Sequence, residues 1–274
     1  MPELPEVETI ANGVHARIHG QTIVGVQTSN KPQTFKSPPV EIAEVLTGSR
    51  IDRVHRVGKT IVVDLLRPDE TPAQFLVHLG MTGRLLVSAP ETPVPAHTHA
   101  ILSLSGGKEL RFVDARRFGR LSVVAAAGAE ERYAGPGAEP LTVSLEDFIA
   151  LFRKRKTPIK AALLNQSLLH GVGNIYADEC LFHAGIRPTR HAGRLTRAEL
   201  TRLRAALVDV LQQAIQLGGS SVSDYVDADG VAGFFQLHHH VYSRTGQPCR
   251  ICGTPIKRIV LGGRSTHYCP KCQR

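Results

Sequence analysis

Apolar positions near the start of the chain recur at helical spacing. Val7, Ala11, Val14 and Ile18 fall on one face, and Gly20 stands just past the end. From residue 21 to about 125 the pattern changes to short β-rich runs at 22–28, 60–66, 74–79, 84–88, 100–104, 110–114 and 120–125. Gly, Pro, Asn and Asp separate them, which predicts a β-sandwich or barrel. Residues 126–143 hold small residues, Gly and Pro without periodicity and read as a linker.

Beyond it the pattern is helical. Ser144 is placed to cap a helix carrying Leu145, Phe148, Ile149 and Phe152. A second helix is predicted from Pro158 at its first position, and a third capped by Asn174. The clearest is the fourth: Thr196 and Glu199 form a capping box ahead of Leu200, Leu203, Leu207, Val210, Leu211 and Ile215, and Gly218-Gly219 ends it. Residues 219–235, rich in Gly, Ser and Asp, read as a mobile loop. The expected division is 1–130, a linker at 131–143, a helical domain at 144–235 and a cysteine-bearing module at 236–274.

Composition adds a sign to this outline. Lys plus Arg number 33 against 24 Asp plus Glu, which favours a polyanionic partner, either nucleic acid or a membrane surface. No run of about 20 apolar residues exists to span a bilayer. The acidic, proline-bearing start lacks the basic and apolar segments of a secretory signal. With five cysteines in such a chain, metal or free thiols are expected rather than disulfides, in an intracellular protein.

Four of those cysteines, Cys249, Cys252, Cys269 and Cys272, form C-x2-C-x16-C-x2-C. Each close pair bites from a tight turn, the gap between them forms a hairpin, and four thiolates complete a tetrahedral zinc ion. With no open coordination position the ion is structural, and it stabilises a module too small to hold itself. Arg258, Arg264, His267 and Lys271 give this hairpin a phosphate-facing character. Cys180, in an apolar helical context, reads as a core thiol. His238, His239 and His240 are adjacent and point apart, so they do not converge on one ion.

Met1-Pro2 carries a further possibility. Removal of Met1 leaves a proline amine with a pKa of roughly 8, able to attack an aldehyde-like carbon and form an iminium ion. Glu3 and Glu6 lie beside it as acid/base groups.

The wider string MPELPEVET at 1–9 resembles the start of the bacterial formamidopyrimidine-DNA glycosylases. VGKT at 57–60, HLGMTGRL at 78–85, DARRFGRL at 114–121, KTPIKAALLNQSLLHGVGNIYADE at 156–179, and CGTPI and GGRSTHYCPKCQ in the zinc module resemble that family in its order. The resemblance implies an α+β multidomain fold. An N-terminal helix packs on a β-sandwich, followed by a helix-two-turns-helix domain and a C-terminal zinc finger, with DNA between the domains. It implies excision of oxidised purines and lyase cleavage of the strand, in a monomer acting on damaged double-stranded DNA, cytoplasmic at the bacterial nucleoid, with one structural zinc ion. By resemblance Pro2 is the Schiff-base nucleophile and Glu3 its acid/base partner. Lys59 is the family lysine of β-elimination and Arg264 the zinc-hairpin arginine of δ-elimination; both also suit phosphate clamping. His97, Arg116, Lys156 and Asn174 match DNA contacts, and Met81, Arg116 and Phe118 match the trio inserted into the duplex. Segment 219–235 resembles the loop that closes over the extruded base. Ala115 and Gly80 depart from common family residues.

Two other readings stand beside this one. An endonuclease VIII-like enzyme shares the proline and zinc but prefers oxidised pyrimidines; Leu4 and the intact ARRF string argue against it. A non-catalytic zinc-ribbon DNA-binding protein fits the charge and cysteine spacing but not the N-terminal string.

Overall fold

The structure is a computed structural model, and it describes residues 1–125, 133–221 and 227–274. It divides into two compact units, Met1–Ala134 with Gly218–Phe234 and Gly135–Leu217 with Phe235–Arg274. Parts of the expected linker (126–132) and of the expected loop (222–226) lie outside the described residues.

In the first unit, helix α1 (Leu4–Ile18) precedes eight strands. Strands β1 (Ile23–Thr28), β6 (Thr98–Leu104), β7 (Glu109–Val113) and β5 (Arg84–Ser88) make one antiparallel sheet, in that spatial order. Strands β2 (Arg50–Val57), β3 (Thr60–Leu66), β4 (Pro72–His78) and β8 (Arg120–Ala125) make the other. One apolar cluster takes Leu85, Leu102, Leu110 and Phe112 from the first sheet, Ile51, Ile61, Phe75 and Leu121 from the second, and Val7, Ile10 and Val14 from α1. This is the sandwich that the alternating runs predict.

Two elements of this unit escape the pattern of residues. Strand β2, RIDRVHRV, is mostly charged, lies at a sheet edge, and is bulged between Ile51 and Arg53, which breaks its alternation. Helix α2 (Pro39–Leu46) is only two turns long and buries Ile42, Val45 and Leu46.

The second unit holds α3 (Leu145–Phe152), α4 (Ile159–Leu163), α5 (Asn174–Ala184), α6 (Arg197–Gln216) and the hairpin β9 (Lys257–Leu261) and β10 (Arg264–Tyr268). The Ser144 hydroxyl accepts from the Asp147 N–H, as expected of a cap. The Thr196–Glu199 capping box forms, and α6 buries Leu200, Leu203, Leu207, Val210 and Leu211. Two expected helix starts shift by one residue. Pro158 is the N-cap of α4 rather than its first helical residue, and Gly173 rather than Asn174 caps α5. Gly173 takes the extended conformation, leaving Asn174 as the first helical residue.

The division also differs from the expected one in two places. Segment 218–234 groups with the sandwich, not with the helices. The Glu6 carboxylate accepts from the Ser220 N–H, Ala228 joins the sandwich core, its carbonyl accepts from the Val87 N–H, and Asp229 pairs with Arg17. The zinc hairpin in turn groups with the helices. Lys160 of α4 and Asp178 of α5 form a buried pair at 2.7 Å. The Lys160 ammonium also donates to the Ser265 carbonyl and the Thr266 hydroxyl, and the Asp178 carboxylate accepts from the His267 N–H. A buried pair tied by further hydrogen bonds to the hairpin fixes geometry more than it adds stability.

Candidate functional site

The candidate residues fall in two sets, one in each unit. In the first, Pro2 is buried ahead of α1, and Glu3 is the buried N-cap of that helix. The Glu3 N–H donates to Glu6 Oε2 at 2.8 Å, while Glu6 Oε1 accepts from the Ser220 N–H at 2.8 Å. The Glu3 side chain in turn accepts from the Glu6 N–H, completing a capping box, so both carboxylates hold the first turn and Glu3 is the one adjacent to Pro2.

Lys59 lies in the turn between β2 and β3, half-buried. It sits near His78, whose register partners are Thr60 on β3 and Arg120 on β8. Burial lowers the His78 pKa, and the positive charges of Lys59, Lys36 and Arg120 lower it further, against a backbone hydrogen bond involving Lys59. The cluster is rich in positive charge and holds its imidazole neutral.

Met81 and Phe118 are exposed, at 41% and 48%, on the β4–β5 and β7–β8 connections. Those two connections are packed backbone to backbone. Gly80 has φ 64°, and a Cβ there would stand 2.5 Å from the Phe118 carbonyl carbon. Gly80 is thus required by the contact. The Arg116 guanidinium lies 4.8 Å from the centroid of the Phe118 ring.

Asp114 organises these loops and escaped the sequence reading. It is fully buried; its carboxylate accepts from the Thr82 hydroxyl (2.6 Å) and from the N–H groups of Arg116 (3.2 Å) and Gly119 (2.7 Å). Its own N–H donates to the His97 carbonyl at 3.0 Å, and its carbonyl contacts His99 Nε2 at 2.9 Å. His97 is exposed with φ 64°. One carboxylate and its peptide groups thereby tie Met81, His97, Arg116 and Phe118 into one surface. Nothing in the sequence separates this aspartate from a solvated one.

In the second unit, Lys156 ends an exposed basic run, Arg153 to Lys156, between α3 and α4. That loop is pinned by N–H donation from Ala192 to Thr157 and from Gly193 to Arg155. Asn174 opens α5, and its side-chain Oδ1 is buried without a hydrogen-bond partner. A helix start carries partial positive charge and suits a phosphate. Arg264 is exposed at the start of β10, after the Gly262-Gly263 turn with φ 56° and 73°. The buried Lys160–Asp178 pair anchors the residues directly after it. His267 does not face outward as expected: it is 5% exposed, with both its N–H and Nδ1 on Asp178.

The four module cysteines converge. Their Sγ atoms lie within 4.8 Å of one another, with Cys249–Cys272 at 3.9 Å and Cys252–Cys269 at 3.4 Å. A tetrahedron of zinc–sulfur bonds of ~2.3 Å has edges of ~3.8 Å, so the set fits one ion. The Thr254 hydroxyl and N–H bring the Cys252 thiol down to about 6, while burial and the neighbouring sulfurs push Cys272 up. Four thiols this close ionise together only around a cation. Cys180 is fully buried and its thiol is pushed up by burial, consistent with a core role.

Three family models match the chain. They are the formamidopyrimidine-DNA glycosylase N-terminal domain over residues 1–121, the H2TH domain of the same glycosylases over 135–226, and a zinc finger found in FPG and IleRS over 246–274. Formamidopyrimidine-DNA glycosylases of Solibacter usitatus and Thioalkalivibrio sulfidiphilus are 44% and 45% identical, each over the full length of both chains. The crystal structure of the MutM (Fpg) protein of Thermus thermophilus is 41% identical, with a TM-score of 0.85, covering 99% of this chain and 98% of that one. A Lactococcus lactis FPG variant bound to DNA containing Fapy-dG is 31% identical, with a TM-score of 0.89, and both chains are covered completely. With matches across all three modules and at this identity over its whole length, the chain belongs to the formamidopyrimidine-DNA glycosylase family.

Proposed function

We propose that this glycosylase excises oxidised purines such as 8-oxoguanine and formamidopyrimidines from duplex DNA and then cleaves the strand, with the amine of Pro2 as nucleophile. The observation that carries the reading is the full-length similarity to glycosylases of that name, including relatives solved with lesion-bearing DNA. Removal of Met1 exposes the amine. Attack on the sugar C1′ expels the base and leaves an iminium ion, an electron sink for the eliminations that follow. Glu3, beside that amine, takes the acid/base role.

Lys59 and Arg264 serve the β- and δ-elimination steps or clamp the flanking phosphates. His97, Arg116, Lys156 and Asn174 contact the DNA backbone. Met81, Arg116 and Phe118 fill the gap left by the extruded nucleotide, whose unstacking costs a few kcal/mol. Segment 219–235 closes over the extruded base. The zinc ion holds the hairpin that presents Arg264 and takes no part in bond making. The enzyme acts as a monomer in the cytoplasm, at the nucleoid.

Borohydride trapping on duplex DNA with 8-oxoguanine opposite cytosine tests the reading. Mature protein forms a covalent adduct, and Pro2→Gly reduces it by at least about a hundredfold, the scale on which loss of a nucleophile acts. An undiminished adduct from Pro2→Gly, or none from protein whose mass shows Met1 removed, overturns it. Faster excision of thymine glycol than of 8-oxoguanine moves the assignment to the pyrimidine-preferring type.

A further inference from the structure

Among the described residues a second group of metal-ligating side chains converges, away from the cysteines. Glu179 and His183 stand four residues apart on α5, so both face one side of the helix. His240 comes from the segment that leads into the zinc hairpin. One ligand atom from each of the three lies within 4.8 Å of the other two. All three belong to the same unit.

The hydrogen bonding leaves room for an ion and shows where. Glu179 is 1% exposed and grips backbone. Its Oε1 accepts from the N–H groups of Val241 (3.0 Å) and Tyr242 (2.8 Å), and its Oε2 from the N–H of His240 (2.9 Å). Each carboxylate oxygen has two lone pairs, so Oε1 is filled and Oε2 keeps one. His240 Nδ1 stands 3.6 Å from that same Oε2, beyond hydrogen-bonding reach, and is buried without a partner. Two ligands of one ion with bonds of ~2.0–2.1 Å stand about 3.3 Å apart at a tetrahedral angle, close to this spacing. The Phe182 ring stacks on His240 at 5.2 Å and holds its plane, and the His183 ring meets it edge-on at 4.6 Å. His183 is the exposed member of the three.

We infer that Glu179, His183 and His240 form a site for one first-row divalent transition metal ion, separate from the cysteine-held zinc. Two imidazoles and a carboxylate suit zinc, cobalt or nickel, and leave at least one position for water. The ion clamps the middle of α5 to the bend at 240–242, adding to the hold of the Glu179 carboxylate. Of the three adjacent histidines at 238–240 only His240 takes part; its partners come from the helix.

Cobalt titration of untagged, zinc-loaded protein tests the inference. Expected is one further equivalent with visible bands of nitrogen and oxygen ligation and without thiolate charge-transfer absorption, which would report exchange into the cysteine site. His183→Ala, at an exposed position, weakens this equivalent by at least about tenfold, and His240→Gln does the same. Cobalt also raises the Tm of the parent protein and not of His183→Ala. Absence of a further equivalent overturns the inference, as does an equivalent that both variants bind as tightly as the parent.

Discussion

The sandwich unit closes on apolar side chains drawn from two sheets, α1 and Ala228, whereas the zinc module has Phe182, Val241, Ile256 and two of its own metal ligands. The first has enough buried area to order itself. The second is ordered by an ion and by a buried charge pair that reaches it from α4 and α5. The proposed DNA-contacting residues follow the same split. Met81, His97, Arg116 and Phe118 ride on loops held by a carboxylate at the edge of a large core. Arg264 rides on a hairpin whose order depends on chemistry that a change of solution removes.

Zinc removal breaks this comparison most directly. Binding of structural zinc is worth about 10–16 kcal/mol in isolated zinc-finger peptides, and nothing of that size replaces it here. Chelation, or Cys252→Ser, therefore unfolds residues 246–274 and abolishes binding to lesion-bearing DNA. The sandwich keeps its fold. Hydrogen exchange followed by peptide mass reads both: protection vanishes in β9 and β10 and persists in β3, β4 and β7. Equal loss in the sandwich strands would show that the two units do not differ in the way their cores indicate.

The legibility of the two regions runs opposite to their stability. Four cysteines at fixed spacing declare the module outright, because thiolate ligation needs those residues at that separation. The capping box of α6 and the alternating strands are nearly as plain. Strand β2 is hidden, because its charges and its bulge remove the alternation that marks a strand. Asp114, Lys160 and Asp178 are hidden for another reason. A carboxylate or ammonium destined for burial looks in sequence like one destined for water; only the fold brings its partners. The sequence resemblance supplied Arg116, Phe118 and Arg264, while the residues that hold them in place emerged from the hydrogen bonds.

Asp114 sharpens the comparison within the sandwich. Asp114→Ala leaves the Thr82 hydroxyl and the N–H groups of Arg116 and Gly119 without their acceptor, at about 1–3 kcal/mol for each group that stays buried. The core strands do not depend on it. The expected outcome is a folded protein with a lower Tm and affinity for lesion-bearing duplex reduced by about tenfold or more. Exchange should rise in 79–83 and 114–119 before it rises in β4 or β7. A variant with parent-like affinity would mean that the loops hold their shape by backbone packing at Gly80 alone.

The smallest effect concerns protons. Burial lowers the pKa of His15, helped by His19 and Arg53, and burial also lowers His78, helped by Lys59. His15 Nδ1 accepts from the Val54 N–H at 3.1 Å, which only a neutral ring can do. With folded values below the ordinary 6.5, the unfolded chain binds more protons between each folded value and 6.5. Stability of the sandwich is therefore full above that window and falls as pH drops through it. Zinc release on acidification would mask this, so urea midpoints are best taken in Cys252→Ser, where the module contributes nothing. His15→Gln keeps an acceptor near Val54 and carries no charge, so the midpoint should vary less between pH 7.5 and 5. An unchanged slope in that variant, and in His78→Gln, would place the acid sensitivity of the sandwich outside these two imidazoles.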